Sequence, residues 1–105
     1  MTTQLAFDIE DVLESQFRRF HFENPHVLPL LVQAARELKA AGRSHGSIEW
    51  CYCKLRWDSA IRTGGEPMKL NDRYTSRYSR LIMQLHPDLD GFFRVRPLAA
   101  DRRTA

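Results

Sequence analysis

The sequence predicts a mainly α domain, four helices with a small β-ribbon. Three observations predict it. Apolar residues recur at helical spacing in four separate windows. Each window is bounded by capping residues, glycine or proline. One short window near the C-terminus, "GFFRVRPL", alternates apolar and basic residues instead, as a half-buried strand does.

The first helix begins at Asp8. Ile9, Val12, Leu13, Phe17 and Phe20 fall at offsets 0, 3, 4, 8 and 11, one face of a helix. Asp8 is placed to cap it, Glu10 and Asp11 suit the positive end of its dipole, and Arg18 and Arg19 the other end. Residues 1–7 show no strong period. In "HFENPHV" Asn24 is an N-cap and Pro25 stands at the first helical position, so a second helix is expected over about 25–41. Its buried stripe is Val27, Leu28, Leu31, Ala34, Ala35 and Leu38, and Gly42 stops it.

"GRSHGS" is a connector in which Arg43, Ser44 and His45 run extended. Ser47 caps a third helix over about 48–63. Ile48, Cys51, Tyr52 and Leu55 make one apolar stripe, and Trp50, Trp57 and Ile61 make another. A helix apolar on most sides is a central one, so this helix is expected at the core. The glycine pair and proline of "TGGEPMKLND" break it, and Met68–Leu70 is a candidate strand. Asn71 or Asp72 caps a fourth helix over about 72–85, with Tyr74, Tyr78, Leu81, Ile82 and Leu85 facing inward. Pro87 ends it. In the last strand Phe93 and Val95 point inward, and Arg94 and Arg96 outward. Residues 1–98 are read as one domain and 99–105 as a disordered tail.

This order resembles a winged helix, with the fourth helix as the recognition helix and "FFRVR" as a wing strand. The connection from Arg62 to Asn71 is longer than the turn of that motif. The competing arrangement is a plain four-helix domain with a two-stranded patch.

The chain has 105 residues, 43% hydrophobic and 28% charged, as an ordinary globular domain has. There is no run of about 20 apolar residues and no basic segment leading into an apolar one. With only two cysteines, in "CYC", reduced thiols and a cytoplasmic location are expected. Net charge is +3. Residues 1–35 hold five acids and two bases, whereas residues 36–105 hold fourteen bases and eight acids. A polyanion or an acidic protein surface is the partner that this basic portion suits.

The strongest functional feature is in "LNDRYTSRYSRLIMQLHP". Offsets of 4 and 7 place Arg77 and Arg80 within about 40° of Arg73 on the fourth helix. No acid lies between Arg73 and Leu85. Arginine suits bidentate phosphate and guanine contacts. The candidate nucleic-acid-binding set is therefore Arg73, Arg77 and Arg80, with Thr75 and Ser76 beside them and Arg43, Arg94 and Arg96 on the backbone. An arginine-rich solvent face would produce the same pattern.

Other chemistry is weaker. Trp50, Trp57, Tyr74 and Tyr78 are of a kind that stacks on single-stranded bases, but helical spacing assigns them to the core. His21, His26, His45, His86, Cys51 and Cys53 show no metal-ligand spacing. No phosphate loop, Gly-x-Ser-x-Gly or His-Glu-x-x-His occurs. Asp58, Glu66 and Asp72 have no spacing that demands a nuclease site. No enzyme, cofactor or small-molecule substrate is expected. The acidic first helix would meet the basic surface of a second copy in a homodimer; a solvated helix N-terminus also explains it.

"FHFENPHV", "GRSHGSIEWCYCKLRW", "LNDRYTSRYSRL" and "GFFRVRP" resemble a family of small, mostly uncharacterised bacteriophage and prophage proteins over about residues 17–96. The resemblance implies a phage setting and assigns no residue a role. Two functions are expected from it: binding of phage or host DNA, or occlusion of a host protein.

Overall fold

The computed structural model describes the backbone of residues 2–94 and the side chains of residues 12–94. The described backbone forms four α-helices: α1 (Thr2–Glu23), α2 (Val27–Ala40), α3 (Ile48–Thr63) and α4 (Thr75–Leu85). Two 3-10 turns, Asp72–Tyr74 and Pro87–Leu89, flank α4. The helix α1 belongs to one compact unit and residues 26–94 to another.

In the first unit α1 starts at Thr2, so Asp8 lies inside the helix and does not cap it. Exposed pairs Arg18–Glu14 (3.3 Å) and Arg19–Glu23 (3.0 Å) follow the i,i+4 rule and add only tenths of a kcal/mol each. Asn24 closes this helix instead of opening the next: its backbone N–H and its Nδ2 both donate to the Phe20 carbonyl, at 2.8 and 3.0 Å. Phe17 is buried and stacks on His21, whereas Val12 and Phe22 are exposed.

In the second unit α2 ends in a Schellman pattern. Gly42, at φ 99°, donates to Lys39 O, and Arg43 N donates back to Leu38 O. The Ser47 hydroxyl accepts from Trp50 N and starts α3; Gly64, at φ 66°, ends it. Both limits of α3 fall where the sequence predicts, because they are set by local capping.

The core is built from Val27, Leu31, Val32, Ala34 and Ala35 of α2, from Ile48, Cys51, Tyr52 and Leu55 of α3, and from Tyr74, Tyr78 and Ile82. Tyr52 and Tyr78 meet edge to face at 6.5 Å. Leu89, Phe92 and Phe93 close this core from the segment after α4.

The helix α4 is covered over a wider arc than α3. Arg77, Tyr78, Ser79 and Ile82 are all buried, and residues 77 and 79 lie about 100° to either side of Tyr78. Thus α4 is covered over more than half its circumference. The second apolar stripe of α3 is correspondingly solvent-facing: Trp50, Trp57 and Ile61 are 52%, 70% and 67% exposed.

The β-ribbon and the wing do not form among the described residues. The only β pairing there is an isolated parallel bridge between Gly46 and Phe93. Phe92 and Phe93 are both buried, which breaks the alternation a strand requires. Met68–Leu70 is not a strand either, because α3 side chains occupy its backbone polar groups. Ser59 Oγ accepts from Met68 N at 2.7 Å, Arg56 Nη2 donates to Leu70 O at 3.2 Å, and Tyr52 Oη donates to Asn71 O at 3.2 Å. Residues 52, 56 and 59 form one row on a helix. This row stitches the connection along α3 and satisfies groups that a second strand would otherwise pair.

Candidate nucleic-acid interface

The arginine ridge of the fourth helix is divided by the fold. Arg73 is exposed in the 3-10 turn, its backbone N–H donating to Asn71 Oδ1 at 2.9 Å. Asn71 therefore caps the turn that leads into α4. Arg77 is 6% exposed, and Arg80 is half-buried. Thr75 and Ser76 are half-buried, and the Thr75 hydroxyl donates to Asp72 O at 3.0 Å, which fixes the turn. Hence the three arginines do not present one solvent ridge. Arg77 belongs to the packed interior of α4, where a guanidinium must stay hydrogen-bonded.

The outlying arginines fare differently. Arg43 and Arg94 are both exposed. The bridge from Gly46 to Phe93, reinforced by Gly46 N donating to Phe92 O at 3.0 Å, brings the segment that carries Arg94 to the connector that carries Arg43. In a parallel bridge the following residues lie side by side, so Arg94 runs beside Ser47 at the N-terminal end of α3. Arg43 lies over the exposed Trp50 ring, 5.6 Å from its centroid. His45, exposed, is hydrogen-bonded to the neighbouring Ser44 hydroxyl. Glu49 also sits at this helix end, accepting from Ser47 Oγ at 2.9 Å, so the helix dipole is already met by a carboxylate. Anion contacts here fall to the arginines. Arg96 lies outside the described residues.

The other cations separate into two groups. Arg36 pairs with Asp88 at 3.2 Å, Lys54 with Asp58 at 3.0 Å and Glu37 at 3.5 Å, and Arg56 with Asp72 at 3.1 Å. The Arg36 pair holds the Asp88 carboxyl below its ordinary range, chiefly through the hydrogen bond from Arg36. By contrast Arg43, Arg62, Lys69, Arg73 and Arg94 are exposed and carry no acidic partner among the described residues.

Burial sets the remaining titrations. It pushes the Cys51 thiol up to about 11 and the Tyr78 hydroxyl up to about 12, and it raises Tyr52 further. Cys51 is thereby an inert packing residue, while Cys53 is exposed. Among the described residues no group of three His, Cys, Asp or Glu side chains is placed to hold a metal ion. No helix among them is long and apolar enough to cross a membrane. The chain matches no family model, no curated protein and no solved structure.

Sequence reasoning missed one surface. Helical spacing assigns Trp50, Trp57 and Ile61 to the core, yet they form an exposed apolar ridge on α3. The signal was present in Lys54, a charged residue at the centre of that stripe.

Proposed function

We propose that this chain is a non-enzymatic nucleic-acid-binding protein, of the phage or prophage setting its sequence resembles. Its contacts come from Arg43 and Arg94 together with Arg73, Arg62 and Lys69, and not from a ridge along α4. The observation that carries this reading is the Gly46–Phe93 bridge. It brings the segment that carries the exposed Arg94 to the connector before α3, near the start of the helix whose exposed Trp50 lies under Arg43. Arginine on phosphate serves single- and double-stranded backbones alike, and an exposed aromatic face adds stacking on the bases of a single strand.

Fluorescence anisotropy with labelled duplex and single-stranded DNA tests the reading. Micromolar binding is expected at low salt, falling linearly in log–log form as salt rises. Arg43→Glu with Arg94→Glu should cut the salt slope by about 2, and Arg73→Glu by about 1, because each arginine removed is a counterion no longer released. Absence of any binding at low salt and micromolar protein overturns the proposal.

A further inference from the structure

We infer that the exposed ridge of α3 pairs antiparallel with the same ridge of a second copy. The ridge is more than a hydrophobic patch, since its residue sizes alternate. Trp50, Cys53, Trp57 and Ala60 occupy successive a and d positions of a heptad pattern, with Lys54 and Ile61 at e. Cys53 and Lys54 are exposed, Ala60 half-exposed, and the two tryptophans 52% and 70% exposed. Large and small side chains therefore take turns along one seam.

An antiparallel two-fold pairing brings a positions of one helix against d positions of the other. Residue numbers across each layer then add to a constant. Trp50 and Ala60 share the same total as Cys53 and Trp57, so every layer of the seam sets a tryptophan of one copy against a small residue of the other. A parallel pairing would stack Trp50 on Trp50 and Trp57 on Trp57. The size pattern is thus self-complementary in one orientation, as an isologous interface requires. Ile61 falls beside Trp50 of the second copy and covers its edge.

Charge agrees with this register. On the e side Lys54 and Asp58 of one copy come level, within a helical turn, with Asp58 and Lys54 of the other. The Lys54–Asp58 pair at 3.0 Å can thus be shared across the axis. On the opposite side the two Arg56 groups approach the axis, each held by its own Asp72 at 3.1 Å. A tryptophan presents up to about 250 Å². At the exposures observed, the two tryptophans and Ile61 bury roughly 400 Å² per copy and twice that per pair. Cys53, Lys54, Asp58 and Ala60 bring the pair toward the ~1,200 Å² at which specific interfaces begin. The result is a small interface, and a dimer of micromolar dissociation constant is expected. Because α3 is already folded in each copy, no helix nucleation opposes the pairing.

Sedimentation velocity between about 5 and 500 µM reads the equilibrium. The wild type should pass from monomer to dimer. Trp50→Ala opens a gap and Ala60→Trp sets tryptophan on tryptophan, so each should weaken the dimer at least tenfold. Combined in one chain, the two changes restore a large-on-small layer and should recover affinity to within about threefold. Maleimide labelling of Cys53 should slow with rising protein concentration, because Trp57 of the second copy covers it. Trp57→Glu, at a 70% exposed position that leaves the core intact, should remain a monomer throughout. Failure of the double variant to recover overturns the antiparallel register. A wild type that stays monomeric at the highest concentration overturns the pairing, as does a Trp57→Glu chain that still dimerises.

Discussion

Replacing Gly46 by alanine puts a methyl group where the Phe92 ring already is. A Cβ built at Gly46 lies 2.3 Å from Phe92 Cε2 and 2.8 Å from its Cζ. Carbon atoms are at their optimum near ~3.5 Å, so the ring has to retreat by about 1 Å. It has little room to do so. Phe92 is 3% exposed and meets the Phe93 ring edge to face at 5.3 Å. The backbone cannot yield freely either, because Gly46 N donates to Phe92 O at 3.0 Å. Overpacking of this kind costs about 2–3 kcal/mol, which in a domain of this size lowers the Tm by roughly 10–20 °C. Thermal unfolding followed by circular dichroism measures it. Phe92→Leu should itself be destabilising through lost apolar area. Added to Gly46→Ala, it should cost less than the two single changes together, since the clash is removed. The reasoning fails if Gly46→Ala unfolds within about 0.5 kcal/mol of the wild type, a change typical of a surface site.

Arg77→Glu places a carboxylate at a 6% exposed position and should destabilise by about 3 kcal/mol or more, whereas Arg73→Glu should leave chemical denaturation unchanged. A denaturant midpoint for each variant separates the two. Ser59→Ala removes the acceptor of Met68 N and should cost about 1–3 kcal/mol in the same assay, with the loss read also as faster amide exchange at Met68. Alkali should weaken the fold. The thiol of Cys51 and the hydroxyls of Tyr52 and Tyr78 titrate higher folded than unfolded, so their stabilising effect is complete below about pH 9 and is lost as pH climbs past 9 for the cysteine and 10 for the tyrosines. Each such group removes on the order of 1.4 kcal/mol per pH unit there. Urea midpoints at pH 8 and pH 10.5 check the sign.

The parts of this fold legible in the sequence are those written locally. Ser47, Gly42 and Gly64 act on groups a few residues away, so the limits of α3 and the end of α2 could be read directly. Helix existence was likewise legible from apolar period. What failed was the assignment of faces. On α4 the arginines were placed outward because charge is usually solvated, but Arg77 and Tyr78 both lie inside. On α3 two tryptophans were placed inward because tryptophan is usually packed, and both are exposed. Each face was decided by neighbours distant in sequence, which periodicity does not report. The same holds for the strand predictions. Met68–Leu70 and the described start of "FFRVR" read as extended, but Ser59 takes Met68 N, Arg56 takes Leu70 O and Gly46 N takes Phe92 O first. Asn24 shows a smaller version of the problem: its side chain can cap forward or close backward, and here it closes backward onto Phe20.

The row formed by Tyr52, Arg56 and Ser59 makes the path of the connection a property of α3. Its anchor points are Met68, Leu70 and Asn71, and nothing ties the backbone between Gly65 and Pro67 to that row. The residues Gly64–Pro67 are all exposed. Extra chain can therefore be spliced in ahead of Met68 while the landing of the connection on the helix stays fixed. A peptide tag or a small reporter domain placed there would be carried on a rigid helix, at the opposite end of α3 from Trp50 and the Arg43 that lies over it.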